Sequence, residues 1–242
     1  TRFILKNFAY LQESLSTNDD VLHFLKVDEQ KIVGCYTFHQ KKGRGQYGNS
    51  WESEKNLNIA FSIAIPTNFV KISDSLLNFY NALLLRSFIG KLTNKKIEIK
   101  WPNDLILNQK KIAGVLIEKI KHHSQNYFII GFGLNVLQSN FKNFPNASSL
   151  QLESPIKYNL DQISENLFQH LESKICELIY EKNILSEYET HLFRKDEISV
   201  FEIDNVRQNG IIKNIDAAGN LYVDLEVDGL RKFINKEIKL LY

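Results

Sequence analysis

The 242-residue chain reads as an α+β protein, a mixed β-sheet packed by helices with a small β-barrel appended. Three observations carry this. Leu57, Ile59, Phe61, Ile63 and Ile65 alternate with Asn58, Ala60, Ser62 and Ala64, the period of two that marks a strand. Between Ser73 and Gly90, the residues Leu76, Leu77, Tyr80, Leu83, Leu84 and Phe88 recur at helical spacing. From Ile198 onward the texture changes to short β-rich runs separated by Asn209-Gly210, Ala218-Gly219-Asn220 and Asp228-Gly229, each a turn signal. The expected division is a larger domain over 1–187 and a small barrel over 188–242.

In chain order, residues 2–13 are a mixed lead-in. Ser16-Thr17-Asn18-Asp19-Asp20 offers capping groups ahead of Val21, Leu22 and Leu25, which predicts a helix start. The hydroxyls of Ser16 and Thr17 serve as caps, or they also face a ligand. A strand over 31–39 then delivers the chain into a glycine-rich loop. After the strand at 57–65, the helix from Ser73 stops at Gly90. A third strand starts at Ile97, is interrupted by Trp101-Pro102-Asn103-Asp104 because proline cannot donate to a sheet ladder, and resumes over 105–107. Strands over 111–120 and 127–135 follow, the second ending in Gly131-Phe132-Gly133-Leu134-Asn135, where glycines inside a strand signal close backbone approach. Beyond the Asn146-Ala147-Ser148-Ser149 loop, Ile163, Leu167, Leu171, Ile175 and Leu178 predict one helix over 161–183, with another near 185–193.

Composition narrows the function classes. Thirty basic and 28 acidic residues, a net charge of +2, are interspersed rather than blocked, so charge alone does not call for nucleic acid. Two cysteines, Cys35 and Cys176, supply neither a disulfide framework nor zinc spacing, and both read as packing residues suited to a reducing cytoplasm. No run of 18 apolar residues exists and the first twenty residues lack signal-peptide order, so neither a membrane span nor export is expected. The six histidines form no catalytic constellation with cysteine or serine.

The stretch Gln40 to Trp51 is the chemical centre of the sequence. Gly43, Gly45 and Gly48 let backbone approach a guest closely, Arg44 adds a cation, and Trp51 adds a flat stacking surface. The literal Gly43-x-Gly45-x-x-Gly48 also matches a dinucleotide fingerprint. That motif requires a helix at the third glycine and an acid about 20 residues on. A strand follows here instead, with no acid near Phe69, which excludes it. Arg44, Lys100 and Lys111 stand beside glycine turns, and a tryptophan sits in each of two loops. A chemistry that fits is joining a carboxylate to the α-phosphate of ATP, where cations and Mg²⁺ neutralise charge and no side-chain nucleophile is needed.

Ser16-Thr17-Asn18, Gln40 through Trp51, Lys100-Trp101-Pro102-Asn103-Asp104, Lys111-Ile112-Ala113-Gly114-Val115-Leu116-Ile117-Glu118 and Gly131 through Asn135 stand in an order and spacing that resemble biotin protein ligases. The resemblance covers the catalytic domain, and the tail around Ile211 to Asp216 looks like that family's SH3-like C-terminal domain. It implies a class II synthetase-like fold of the biotin/lipoate ligase type. It implies biotin, ATP and Mg²⁺ reacting to biotinyl-5′-AMP, then transfer to a lysine of a biotin carboxyl carrier protein domain.

By the same resemblance Ser16, Thr17 and Gln40 hold the ureido ring, while Gly43 and Gly114 lend backbone groups. Arg44 and Lys111 bind the carboxylate and α-phosphate, Lys111 being the leading catalytic residue and Asp104 the candidate base for the acceptor lysine. Trp51 stacks on adenine, with Lys100, Gln46 and Asn135 on the nucleotide side. Mg²⁺ is held through the phosphates, Asn135 being its one candidate protein contact. Gln46 departs from a branch that carries a second arginine there, which bears on how tightly the adenylate is retained. Fifteen residues before Ser16 leave no room for a DNA-reading domain, so no DNA partner is expected. A homodimer is left open. The rivals are a lipoate or octanoate ligase of the same fold and a non-catalytic binding module. Unpaired Ser16, Thr17 and Gln40 count against an aliphatic guest.

Overall fold

The computed structural model describes residues 7–26, 31–175 and 181–242. The reading of Cys176 as a helix-stripe residue lies outside them. The elements begin with β1 (Phe8–Leu11), in the segment read as a mixed lead-in, and α1 (Thr17–Asp20), extended by a 3₁₀ turn over Val21–Phe24. Then come β2 (Val33–Thr37), the short hairpin β3 (Gly43–Arg44) and β4 (Ser50–Trp51), β5 (Asn58–Pro66) and α2 (Asp74–Thr93). Next are β6 (Glu98–Lys100), β7 (Asp104–Leu107), β8 (Lys110–His122), β9 (Gln125–Asn135), α3 (Leu150–Glu153), α4 (Leu160–Lys174) and α5 (Glu181–Thr190). The barrel comprises β10 (Ile198–Ile203), β11 (Val206–Ile215), β12 (Leu221–Leu225), β13 (Gly229–Phe233) and β14 (Lys239–Leu241).

Seven strands form one sheet in the order β1-β2-β5-β9-β8-β7-β6. Among these strands β1 and β2 pair in parallel and the other neighbours antiparallel, which makes the sheet mixed. Strand alternation divides its side chains between two faces. Ile59, Phe61, Ile63 and Ile65 of β5, with Phe128, Ile130, Phe132 and Leu134 of β9, join the main core with α2 and α4. The opposite face carries the smaller cluster of Val21, Leu25, Val33, Cys35, Ala64, Tyr127 and Ile129, under α1. Cys35 is fully buried there, and burial pushes its thiol far above the ordinary range, as befits a packing residue.

Several local expectations are corrected. Gly90 does not stop α2: the helix runs to Thr93, and Asn94 takes the left-handed capping position at φ 51°. Residues 97–107 are not one interrupted strand but two antiparallel strands, β6 and β7, with the chain reversing through Trp101-Pro102-Asn103, whose Trp101–Pro102 peptide is cis. Asn209-Gly210 is not a turn. It lies inside β11, and the hairpin turns instead at Asp204-Asn205, both at positive φ. A side chain at Gly210 would press on Leu225 at 2.9 Å, Val223 at 3.0 Å and Phe201 at 3.1 Å, so packing explains the glycine. The helix expected over 161–183 is α4, ending at Lys174, with the position of Leu178 outside the described residues, and α5 stands near the place of the helix expected over 185–193.

The barrel strands order as β13-β12-β11-β10-β14 around Phe201, Ile212, Val223, Leu225 and Phe233, with β13 and β14 left as edges. Hydrogen bonds to its β11–β12 turn help seat it on the larger unit. Trp101 Nε1 donates to the Gly219 carbonyl at 3.1 Å, and Ser75 Oγ donates to the Ala218 carbonyl at 2.9 Å. No helix among the described residues is long and apolar enough to cross a membrane.

Candidate active site

The floor of the site is a product of cross-strand register. Thr37, Ala60, Gly133, Gly114, Asp104 and Lys100 are successive partners across six strands and therefore share one face of the sheet. Beside them runs Cys35, Ser62, Gly131 and Leu116. Small residues thus keep the α1 face low, while the alternate positions of the same strands fill the core. A methyl at Gly131 would collide with the Asn18 amide, and one at Gly133 with the Trp51 ring, so these glycines admit the side chains that lie on them.

Above this floor opens a cavity of about 580 Å³. One end is a closed polar network. Gln40 Oε1 accepts from Thr17 N at 2.9 Å and from Thr17 Oγ1 at 3.2 Å. Ser62 Oγ lies 2.7 Å from Thr17 Oγ1 and 2.6 Å from Asn18 Oδ1, so its single proton serves one of the two. Asn18 Nδ2 donates to Glu118 Oε2 at 2.6 Å. Glu118 also accepts from Arg44 at 3.1 Å, and Arg44 makes a bidentate pair with Asp19 at 2.7 and 2.8 Å. The hydrogen bond to Asp19 raises the Arg44 pKa, and the same bond lowers that of Asp19. Ser16 stands at the N-cap of α1 without a side-chain capping bond, and it is one of the residues lining the cavity.

The other end is cationic. Lys111 Nζ lies 2.7 Å from Asp104 Oδ1 and 5.6 Å from the centroid of the Trp51 ring. How Lys111 arrives there is a backbone matter. Counting by twos from Gly114 would put Ile112 on the floor and Lys111 in the core, but the β7–β8 register shifts between Leu105 and Ile106. This leaves Ile112 as the extra, buried residue of a bulge and turns Lys111 to the site. The Asn146–Ser148 loop braces it: Lys111 N donates to the Asn146 carbonyl at 2.7 Å, and Ser148 N donates to the Lys111 carbonyl at 2.9 Å. Lys100 Nζ stands 4.9 Å over the Tyr242 ring, and burial lowers its pKa. Burial pushes the Tyr242 phenol up to about 12.

Of the residues expected at the site, Ser16, Thr17, Gln40, Arg44, Gln46, Trp51, Lys100, Asp104, Lys111 and Gly114 all line this one cavity. Asn135 does not. It is buried, and its amide donates at 3.0 Å to the carbonyl of Ser148, in the loop that braces Lys111. Gly43 stands behind the lining, where a side chain would meet Gln40 Nε2 at 2.6 Å. Sequence reasoning missed Ser62, Asn18, Asp19 and Glu118 as parts of the network, and the barrel's Asn235, Lys236 and Lys239 in the wall. Ser62 had a signal, a hydroxyl in the middle of a strand whose neighbouring residues are apolar. The barrel residues had none.

A sequence model of the Biotin/lipoate A/B protein ligase family matches residues 9–135. The Biotin--[acetyl-CoA-carboxylase] ligase of Mycobacterium tuberculosis is 27% identical over 148 residues, 57% of this chain and 52% of that protein. Biotin--protein ligase 2 of Arabidopsis thaliana is 33% identical over 129 residues, 50% of this chain and 38% of that protein. The chain thus spans about half or less of the length of these curated relatives. Among solved structures, the biotin protein ligase of Aquifex aeolicus in complex with biotin and ATP superposes with a TM-score of 0.75 at 20% identity, covering 98% of this chain and 99% of that one. The Leishmania major biotin protein ligase in complex with biotinyl-5-AMP gives 0.67 at 21% identity, covering 96% and 100%. These likenesses carry the fold, and the family match extends over more than half of the 242 residues: the chain belongs to the Biotin/lipoate A/B protein ligase family.

Proposed function

We propose that this protein is an ATP-dependent biotin protein ligase. The observation that supports it most is the charge of the cavity. Lys100, Lys111, Lys236 and Lys239 line it with Asp104 beside the face of Trp51, and Arg44 lines it too, paired with Asp19 and Glu118 at its edge. A site so lined suits two anionic reactants and an aromatic base. In the first step an oxygen of the biotin carboxylate bonds to the α-phosphorus of ATP, and pyrophosphate leaves. In the second, a lysine amine of a carboxylase's carrier domain attacks the acyl carbon and AMP leaves.

In this reading Thr17, Gln40 and Ser62, with Ser16 beside them, exchange part of their mutual hydrogen bonds for bonds to the polar ring of biotin, an exchange that an aliphatic guest does not offer. Lys111 is the catalytic cation that follows charge from carboxylate to phosphorus. Asp104 holds Lys111 in place, and it receives the acceptor's proton once Lys111 has turned to the phosphate. Mg²⁺ would be carried on the nucleotide phosphates, which offer the hard oxygen ligands it takes. Residues 1–187 supply the ligase-type domain, and 188–242 the SH3-like barrel that walls the nucleotide end.

Mass spectrometry after mixing the protein with biotin, ATP and a carboxylase carrier domain tests the reading. A single biotin-sized increment on one carrier lysine is expected. No increment, or pyrophosphate exchange driven by lipoate but not by biotin, would overturn it.

A further inference from the structure

The tip of the glycine loop is held from the barrel by two residues. Between β13 and β14 the chain turns over Ile234–Glu237, closed by Glu237 N–H on the Ile234 carbonyl at 3.2 Å and by Ile234 N–H on Glu237 Oε2 at 2.9 Å. The third residue of this turn is Lys236, at φ 77°. Glycine is the usual occupant of such a position, because a Cβ is strained there. A lysine in its place calls for a contact made by its side chain.

That contact is present. Lys236 Nζ donates to the Tyr47 carbonyl at 2.8 Å and stands 5.0 Å over the centroid of the Tyr47 ring. Beside it, Asn235 Nδ2 donates to Gln46 Oε1 at 3.1 Å, and Gln46 Nε2 donates to Asn78 Oδ1 of α2 at 3.4 Å. Tyr47 itself is held at φ 55°. The tip of the loop is therefore caught between a helix of the larger unit and a turn of the barrel. The barrel is anchored independently through Gly219 and Ala218, so the turn is presented from a fixed body.

We propose that Lys236, assisted by Asn235, is a positioning residue of the active site: it fixes Gln46 and Tyr47 so that Arg44 and Trp51, on the strands flanking that tip, keep their setting toward the nucleotide. The proposal rests on the ligase reading above for its consequence in catalysis, but not for the latch itself. Once cut free, the tip would gain conformational freedom that nucleotide binding must then remove, which weakens binding more than it slows the chemical step.

Lys236→Gly separates this role from a merely structural one, because glycine suits φ 77° and should leave the melting temperature unchanged or raised while deleting the amine. The expected result is faster hydrogen exchange of the amides of residues 45–50, by about fivefold, and a KM for ATP raised by a similar factor in biotin-dependent pyrophosphate exchange, with kcat changed less than about twofold. Lys236→Arg, which keeps a donor, should restore both. Wild-type exchange rates in Lys236→Gly would overturn the latch, and an unchanged KM with a loosened loop would overturn the positioning role. A wild-type protein without biotin-dependent pyrophosphate exchange would instead strike the functional reading, a separable outcome.

Discussion

The two ends of the cavity are built on different principles. At the polar end, Thr17, Asn18 and Ser62 are buried, and each hydrogen-bonds to another member of a network seated on β5 and β9 at the middle of the sheet. At the cationic end the groups ride on a bulge, an edge strand, a loop tip and a barrel turn, and Tyr47 is 61% exposed. The first end is preorganised by the core it belongs to. The second is assembled from pieces distant in sequence, held by contacts each worth little on its own. A recognition pocket for one fixed small molecule suits the first construction. A site that must admit a nucleotide, and then an acceptor side chain, suits the second.

The largest test of this contrast falls on the cationic end. Lys111→Ala should lower adenylate formation by about a hundredfold or more while leaving the melting curve close to wild type, because its side chain is partly exposed and belongs to chemistry more than to packing. Near-normal pyrophosphate exchange in that variant would remove Lys111 from its assigned role. Gly131→Ala should break the polar end the other way. The new methyl meets the Asn18 amide in a buried setting, so a stability loss of about 1–3 kcal/mol and a raised KM for biotin are expected together. Calorimetry and exchange kinetics on one preparation would show whether the two effects travel together; if they part, that end is not preorganised by its core.

The smallest effect concerns the join between the ends. The Arg44 hydrogen bond holds the Asp19 carboxyl below its ordinary 3.8. A carboxyl depressed in the folded state contributes stability that is fully present above about pH 3.8 and lost as pH falls through its lowered value. Asp19→Asn should therefore cost about 1–2 °C of melting temperature at neutral pH, an exposed pair being screened, with Glu118 still holding Arg44. The difference between variant and wild type should close on acidification below pH 3.8; a gap that widened would contradict the assignment.

Much of the frame was legible because it is local. Alternation marked the strand at 57–65, the turns on either side marked those at 111–120 and 127–135, helical spacing marked α2 and α4, and the strand following Gly48 excluded a dinucleotide fold. The failures share a cause. Asn209-Gly210 carries the signal of a turn but sits inside β11, because the barrel core needs a residue without a side chain between Phe201 and Leu225. Proline in Trp101-Pro102 announced a break but not its direction, and the strand came back as its own neighbour.

From the residues alone came the kinds of group this protein brings to bear and the strands and loops that carry them, since periodicity and glycine content are properties of short stretches. Tertiary structure decided which of those groups meet. Lys111 faces the cavity because a one-residue bulge reverses the alternation at Ile112, and the loop tip at Tyr47 is held because a turn almost 190 residues away is docked against it. Cross-strand register and domain docking are long-range equilibria among whole faces, and no local pattern encodes them.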